Sequence, residues 1–363
     1  MKKFKLSMLI LMSMLVFSAC GGGGGGGSDD PDKPGDDPKN PVATLEINGD
    51  TYTYTLPGGT EFNLMLTPDI AVSKTFPCNI DADDSYEEAT DIANVPARFI
   101  MGETEVTYQL WKEVYDWAIA NGYTFSNPGV KGNGEAAAKT TQHPVTTINW
   151  RDSIVWCNAL TEYYNVNNGS EADLAVVYCS DADYKMPIRK STNSTTISWD
   201  AGSIYGGTED EPYVNNEAKG FRLPNSLEWE YTARYIGSSV PSHTNYILKD
   251  GVYYTKGNSA SGATADYNNM SATSAVAVYG VSSTAIVKSK GESGANALGL
   301  YDMSGNVYEW CFDWHPSCIG SVRVWRSGPY GHPANFMQVV FMSDGYPYYH
   351  EHNGLGFRFC RSK

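Results

Sequence analysis

The chain has 363 residues, with 26 Lys or Arg against 41 Asp or Glu, and its formal net charge is −15. This balance argues against a protein that binds nucleic acid, because such binding needs basic surface to contact the phosphates. Hydrophobic residues reach 41%, so the chain can bury a core, and global disorder is not expected. The unusual feature is 25 Tyr and 36 Gly with only 18% charged positions.

Residues 1–19 have the pattern of a bacterial export signal. Three lysines precede an apolar run that ends at Phe17, and small residues lead to Cys20. The run is too short to span a membrane. The residues before Cys20 resemble a lipobox, with Phe17 in place of the usual Leu. That resemblance implies that Cys20 is lipidated; ordinary secretory cleavage is the alternative.

Residues 20–41 predict a flexible tether that begins at the lipidated cysteine. They contain seven consecutive glycines, followed by an acidic, proline-rich stretch. Such a composition cannot bury enough apolar surface to fold. We therefore expect an exported protein at the outer-membrane cell surface, which contacts the membrane only through its lipid anchor.

Three helices are predicted from capping residues followed by apolar residues at helical spacing. Thr107 caps the first. Asn149 and Asp152 open the second, and Asn225 and Glu228 open the third as a capping box.

The rest of residues 42–363 predicts one loop-rich domain, because no repeat or low-complexity linker interrupts it. Short β-like pieces, such as 51–54, 175–178 and 275–281, are separated by Gly, Asn, Asp and Ser. The expected fold class is therefore α+β, with few helices and short antiparallel strands.

Six cysteines remain beyond Cys20, and they are spaced without a CxxC or Cys/His metal motif. Export would permit disulfides, and buried free thiols are the alternative. The six are Cys78, Cys157, Cys179, Cys311, Cys318 and Cys360.

Several short motifs occur in a fixed order between about residue 97 and residue 361. They lie at 101–103, 105–107, 143–146, 149–150, 221–224, 228–230, 299–310, 323–324 and 356–358. Together they resemble the formylglycine-generating enzyme family, also called the sulfatase-modifying-factor family, which implies a variant of the C-type lectin fold. On their own these residues are typical of structure, because Trp, Tyr and Leu fill cores while Gly and Asn make turns.

Calcium is the one cofactor that this resemblance implies. In the family, oxygen ligands near the segment matching 305–309 bind calcium, and Asn306 and Glu309 occupy the matching positions. Hard oxygen ligands suit calcium. The alternative is that these two residues only form hydrogen bonds at a turn.

The residues that would make this chain an enzyme of the family are missing. Formylglycine-generating members use a pair of cysteines in the C-terminal segment, and this chain has no cysteine between Cys318 and Cys360. The sulfoxide-forming branch needs a His-x-x-x-His-x-Glu motif, but no two of the six histidines are four residues apart. His143 is expected to be a packed turn residue. We therefore expect no catalysis; the alternative is an exported metal-dependent oxidase-type enzyme of this family.

Residues 325–353 differ in composition from the rest of the chain. These 29 residues contain seven aromatic residues and three of the six histidines, and they contain no Lys. Tyr, Ser, Gly and Asn are typical of binding surfaces, because Tyr gives a large contact area at a low entropic cost. An irregular aromatic core near the terminus is the alternative.

The segment 323–358, here called the variable window, begins with Arg-Val and ends with Gly-Phe-Arg. This framework resembles the variable proteins of diversity-generating retroelements, in particular the treponemal ones. The resemblance implies adenine-directed mutagenesis of AAY codons, which yields Tyr, His, Asn, Asp, Ser, Phe and Gly but not Trp, Met, Gln, Lys or Glu. The residues expected to be invariant framework are Trp325, Met337, Gln338, Met342 and Glu351.

The candidate ligand contacts are residues of the variable window that such mutagenesis can produce. They are Tyr330, His332, Asn335, Phe336, Phe341, Ser343, Asp344, Tyr346, Tyr348, Tyr349, His350, His352 and Asn353. If extended, His350 and His352 would share one face and could hold a metal, although recognition is the commoner role of exposed histidines.

The expected function is that of a surface-displayed, non-catalytic, monomeric lipoprotein. Its variable window would bind a protein or glycan ligand on another cell or host. A purely structural envelope lipoprotein is a further alternative, which predicts an invariant window among isolates.

Overall fold

The computed structural model describes residues 42–80, 91–135, 139–167, 173–199, 206–349 and 354–363. The predicted signal peptide, Cys20 and the tether lie outside these ranges, as do His350, Glu351, His352 and Asn353. No helix within the described ranges is long and apolar enough to cross a membrane.

The described ranges contain four α-helices, eighteen short β-strands and three 3₁₀ turns. The helices are α1 (Tyr108–Ala120), α2 (Trp150–Asn167), α3 (Ser226–Arg234) and α4 (Met270–Val276). The strands are β1 (Thr44–Asn48), β2 (Thr51–Thr55), β3 (Glu61–Leu66), β4 (Thr75–Cys78), β5 (Asp91–Asn94), β6 (Phe99–Gly102), β7 (Val130–Lys131), β8 (Val145–Thr146), β9 (Tyr178–Cys179), β10 (Tyr213–Val214), β11 (Tyr235–Gly237), β12 (Tyr246–Lys249), β13 (Val252–Thr255), β14 (Tyr308–Trp314), β15 (Arg323–Arg326), β16 (Met342–Gly345), β17 (Leu355–Gly356) and β18 (Cys360–Ser362). The 3₁₀ turns are Glu292–Gly294, Pro316–Cys318 and Ala334–Met337.

The three predicted helices are confirmed, and each begins at its predicted cap. The side chain of Thr107 caps α1. The backbone N–H of Asp152 donates to Asn149 Oδ1 at 2.7 Å, and the backbone N–H of Asn149 donates to Asp152 Oδ2 at 3.1 Å. Asn225 and Glu228 form the reciprocal capping box at the start of α3. These local hydrogen bonds satisfy N–H groups that the first helical turn leaves unpaired.

The α+β fold class is confirmed, whereas the individual strands were predicted less well. The strand at 51–54 is present as part of β2. Of the segment 175–178 only Tyr178 belongs to a strand, β9. The prediction of a strand at 275–281 was wrong, because α4, which is capped by Asn269, occupies the start of that segment. Short apolar runs are ambiguous between helix and strand, and here the local cap decides the outcome.

The two largest sheets contain nine of the eighteen strands. The larger has the order β1-β2-β3-β6-β18, so the last strand of the chain pairs with β6, which lies in its first third. The second has the order β16-β15-β14-β17, with β14 and β17 parallel and the other pairs antiparallel. This second sheet carries the variable window.

The core behind these sheets is rich in aromatic rings. The rings of Trp111 on α1 and Trp156 on α2 stack at 5.9 Å, and Phe357 packs edge-on against both. A second cluster of buried residues includes Trp229 of α3 and Val324 of β15. The second sheet is therefore fixed from behind by packed helices.

The six cysteines beyond Cys20 are free thiols. Five of them are buried and Cys318 is exposed, so the buried-thiol alternative describes most of them. Burial raises the pKa of Cys311 well above its ordinary value. Because the thiolate is the reactive form, Cys311 is an inert core residue.

One group of buried charges ties α3 to β15. Glu230 is fully buried and accepts hydrogen bonds from Arg234 Nε at 2.8 Å and from Arg326 Nη2 at 2.9 Å. The backbone N–H of Asn79 also donates to this carboxylate. Two guanidinium groups therefore depend on one carboxylate for their counter-charge.

A second group of buried charges lies at the start of β14. Glu105, Asp302 and Glu309 are at most 2% exposed, and Arg358 binds Glu309 through Nε and Nη2 at 2.6 and 2.7 Å. Burial, followed by repulsion from Asp302 and Glu309, raises the pKa of Glu105 well above its usual range. Burial also raises the pKa of Asp302 to about 6. One arginine does not offset three carboxylates, so the folded state retains protons here.

We predict that Glu230→Ala lowers the free energy of unfolding by about 3–5 kcal/mol, because it leaves two buried arginines without their counter-charge. Chemical denaturation measures this change. The control is Asp116→Asn, which removes an exposed ion pair with Lys112 and should cost at most about 0.5 kcal/mol. Equal effects of the two substitutions would contradict the buried network.

We also predict that Glu105→Gln becomes more stable relative to the wild type as the pH rises from 5 to 8. The folded-state pKa values of Glu105 and Asp302 are raised, so the folded protein binds these protons more tightly than the unfolded chain does. The free energy of unfolding of the wild type therefore falls as the pH rises through those pKa values. The relative gain should be on the order of 1 kcal/mol. Denaturant titrations at each pH measure it, with Glu46→Gln on exposed β1 as the control. If the difference in free energy of unfolding between Glu105→Gln and the wild type stayed constant from pH 5 to 8, Glu105 would not retain its proton in the folded state.

Candidate ligand-binding site

The variable window folds over β14 as the strands β15 and β16, the 3₁₀ turn Ala334–Met337 and the loop that follows β16. Its expected framework side chains point into the protein. Trp325 and Met342 are each 6% exposed, and Met337 and Gln338 are fully buried. We call these four buried residues the floor of the window; Trp325, Met342 and Met337 belong to three separate core clusters.

The candidate ligand contacts lie above this floor. Each one within the described ranges is partly or fully exposed, and Tyr346 reaches 46%. They are Tyr330, His332, Asn335, Phe336, Phe341, Ser343, Asp344, Tyr346, Tyr348 and Tyr349. The other three, His350, His352 and Asn353, fall outside the described residues.

Three of the candidates form a ring cluster on an aromatic base. The base is Tyr308 stacked on Trp325, with ring centroids 5.2 Å apart. Phe341 stacks on Tyr308 at 6.2 Å, and Phe336 contacts both Phe341 at 4.9 Å and His332 at 4.6 Å. Burial lowers the pKa of His332, which favours its neutral form at physiological pH. The ring cluster is therefore a half-buried, uncharged surface.

Two further candidates form a tyrosine pair beyond β16. The rings of Tyr346 and Tyr348 are nearly parallel, with centroids 5.2 Å apart. The guanidinium of Arg151, from α2, lies 5.9 Å from the centroid of Tyr348. Arg151 is itself fixed by Asp210, which accepts from its Nε at 2.6 Å and its Nη2 at 2.8 Å. The pair thus rests on a rigid, buried ion pair.

The remaining candidates connect these two clusters or border them. Ser343 and Asp344 lie on β16, and Asp344 Oδ2 is 3.8 Å from His315 Nε2. The Tyr330 carbonyl accepts from the backbone N–H of Val281, which ties this side of the window to the segment after α4. Ten candidates that are spread over twenty residues of sequence thus lie on β16 or in the segments that flank it, with Ser343 and Asp344 on opposite faces of the strand.

Gly345 shows why the window lies so close to its floor. A Cβ atom at this position would lie 2.3 Å from the ring of Trp325 and 3.2 Å from that of Trp310. Any larger residue would therefore lift β16 away from the aromatic base. This close approach requires glycine here, although AAY mutagenesis could supply other residues.

The calcium site implied at Asn306 and Glu309 does not fit the observed donors. Asn306 Oδ1 accepts from the backbone N–H of Ala285, and its Nδ2 donates to Glu105. Glu309 is bound by Arg358 and by Trp229 Nε1 at 2.7 Å. Across the described chain, no three His, Cys, Asp or Glu side chains are grouped so that they could hold a metal ion. The side chains of Asn306 and Glu309 thus already have hydrogen-bond partners within the protein.

His143 is a turn residue, as expected. Its Nδ1 accepts from the backbone N–H of Thr140, and its carbonyl accepts from the backbone N–H of Tyr108 at the start of α1. Burial lowers the pKa of His143. These contacts give the imidazole a structural role.

Sequence reasoning missed Arg151, Asp210 and Tyr308 as supports of the site. Arg151 could have been suspected because it is a charged residue in a helix whose neighbouring residues are buried. A buried guanidinium is tolerated only when a carboxylate pairs with it. No local pattern indicates that its partner is Asp210, 59 residues away.

Comparison with known proteins agrees with this fold. Residues 60–363 match the family described as the sulfatase-modifying factor enzyme 1-like domain. The chaperone protein LppX of Paenibacillus barcinonensis is 28% identical over 284 residues, which cover 73% of this chain and 80% of that protein.

Two solved structures share the architecture. Treponema denticola variable protein 1 has a TM-score of 0.55 at 24% identity, covering 87% of this chain and 100% of its own. CarF has a TM-score of 0.52 at 23% identity, covering 80% of this chain and 97% of its own. At these identities the likeness shows the fold, which is the C-type lectin variant of the formylglycine-generating enzymes. The chain belongs to the sulfatase-modifying factor enzyme 1-like domain family.

Proposed function

We propose that this protein is an exported, lipid-anchored receptor that binds a protein or glycan ligand through a diversified variable window. One observation carries the proposal. The described candidate contacts are all at least partly exposed, whereas Trp325, Met337, Gln338 and Met342, which AAY mutagenesis cannot produce, are all buried. The candidate contacts and these four residues therefore differ in solvent exposure, although Ser327, Gly345 and Phe357, which are of types that the mutagenesis can produce, are buried.

This division argues against an irregular core as the role of the window. If the window only filled the protein interior, exposure would follow hydrophobicity. Instead Phe341 and Tyr346 are partly or fully exposed, whereas polar Gln338 is fully buried. Half-exposed aromatic rings on a packed floor are typical of binding sites, since they offer contact area with little loss of entropy.

Treponema denticola variable protein 1 adds support, because that protein is a variable protein by name and its chain is covered completely. We extend the term to this chain as part of the proposal. The position of the window at the C-terminal end of the same fold is consistent with that reading.

The proposed receptor does not catalyse a reaction. Enzymes of this family use a pair of cysteines in the C-terminal segment, but this chain has no cysteine between Cys318 and Cys360. Upstream of that segment, Cys311 is buried and Cys318 is exposed. Family membership is the one observation that favours the alternative, an exported metal-dependent oxidase-type enzyme. Stoichiometric copper or iron binding by the purified protein would favour that alternative.

The diversification has a direct genetic test. We expect a near-copy of the codons for residues 323–358 close to the gene, beside a reverse-transcriptase gene, with differences confined to adenine positions of the copy. The codons of Trp325, Met337, Gln338 and Met342 should be identical in both copies. The codons of β14 provide the control, since they should have no second copy. An identical window in all isolates, with no near-copy, would instead support a structural envelope lipoprotein.

The lipid anchor is tested by Cys20→Ser. We expect this substitution to abolish incorporation of labelled palmitate and to release the protein from the membrane fraction, because one thiol carries the anchor. Cys318→Ser is the matched control, as it removes an exposed thiol of the folded chain and should keep the label. Retained label in the Cys20 variant would contradict lipidation at that position. Protease digestion of intact cells then distinguishes the outer surface from the periplasm.

A further inference from the structure

An exposed segment outside the variable window lies next to the tyrosine pair. Residues 192–198, here called the hydroxyl loop, have the sequence Thr-Asn-Ser-Thr-Thr-Ile-Ser. Six of these seven residues carry a hydroxyl or an amide, none is charged, and five of the seven are exposed. The loop therefore offers an uncharged surface with many hydrogen-bonding groups.

The buried ion pair of Arg151 and Asp210 holds the backbone of the hydroxyl loop. The guanidinium of Arg151 donates to three carbonyl oxygens of the loop at 2.9–3.2 Å, those of Thr192, Ser194 and Thr196. The carboxylate of Asp210 accepts from the backbone N–H of Ser198 at 2.8 Å. Both charged residues are fully buried. These hydrogen bonds fix the loop at four positions along its length.

The same guanidinium supports the tyrosine pair. Its carbon atom lies 5.9 Å from the centroid of the Tyr348 ring, and Tyr348 stacks on Tyr346. Because Arg151 is fully buried, the groups around its guanidinium, the loop carbonyls and the Tyr348 ring among them, close over it. The hydroxyl loop and the tyrosine pair are therefore neighbours that share one buried cation.

The hydroxyl loop and the tyrosine pair form one uncharged surface, here called the composite surface. Residues 345–349 contain no charged side chain, and Tyr346 is 46% exposed. Because both segments have a buried support, little of their freedom has to be lost when a ligand binds. Rigid tyrosines beside adaptable hydroxyl and amide groups are the combination with which antibody loops bind protein surfaces.

We propose that the hydroxyl loop is a second, invariant part of the ligand site, and that the composite surface binds an uncharged region of a protein ligand. This inference rests on the proposed function, and it names the class of partner and a contact segment that diversification of residues 323–358 does not reach. Exposed hydroxyls of the loop, such as that of Thr195, would bond to backbone or amide groups of the partner. The ring of Tyr346 would cover its apolar atoms. The loop would then keep a constant contact while the window changes.

The probe for this inference is a displayed library of random 12-residue peptides, selected against the detergent-solubilised full-length protein. An extended peptide of this length spans about 40 Å, so it can reach both segments of the composite surface. We expect Thr195→Glu and Tyr346→Asn each to weaken binding of the selected peptides at least about tenfold by biolayer interferometry. The first places an unpaired charge in the contact, and the second removes the anchoring ring. A glycan array is screened in parallel with the same protein.

Two variants match these changes elsewhere on the surface. Thr244→Glu makes the same change at an exposed threonine, and Tyr246→Asn removes a partly exposed tyrosine of β12, whose ring contacts that of Tyr253 at 4.9 Å. Both should bind the selected peptides as the wild type does. Because Thr195 and Tyr346 are exposed, their variants should also keep the melting temperature of the wild type. If Thr244→Glu weakened binding as much as Thr195→Glu, general repulsion by added negative charge would replace the proposed contact.

The remaining outcomes separate this inference from the proposed function. Binding that is weakened by Tyr346→Asn but not by Thr195→Glu would exclude the hydroxyl loop from the site and leave the window as the site. Binding to glycans without any enriched peptide would overturn the protein partner, and its loss in Tyr346→Asn would again leave the window as the site. A ligand of either class that no window substitution affects, or a screen without binders on both libraries, would count against both proposals.

Discussion

The ion pair between Arg326 and Glu230 is the constraint on which the variable window depends. Arg326 lies at the end of β15 and is fully buried, and its guanidinium binds Glu230 of α3 and the Val340 carbonyl just before β16. One side chain thus joins the floor strand, the helix behind it and the segment that leads into the exposed strand. Because this connection is internal, residues on the outer side of β16 can change without altering its position.

The helices could be predicted from sequence because their determinants are local. The caps at Thr107, Asn149 and Asn225 satisfy N–H groups within three residues, so the relevant interaction is visible in the sequence itself. Strand pairing is different, because β18 finds β6 about 260 residues away. The segment 275–281 illustrates the limit, since its apolar residues suit a strand but a cap at Asn269 starts a helix there.

The proposed mutagenesis cannot produce Trp, Met or Gln, and the burial of Trp325, Met337 and Gln338 agrees with the framework role that the resemblance implies for them. The supports behind the floor could not be inferred in this way. Tyr308 and Arg151 come from a strand and a helix outside the window, and their positions follow from long-range packing.

In the proposed receptor, the intermediate burial of most candidate contacts would reconcile variability with binding. A fully exposed ring would be mobile and would lose entropy on binding, whereas a fully buried one could not be exchanged without a cavity or an overpacked core. Phe341 and Tyr348 lie between these limits, because both are partly buried and contact Tyr308 and Arg151 respectively. Replacing such a residue changes the surface that a ligand meets, while Trp325 and Arg326 keep β15 in place beneath it.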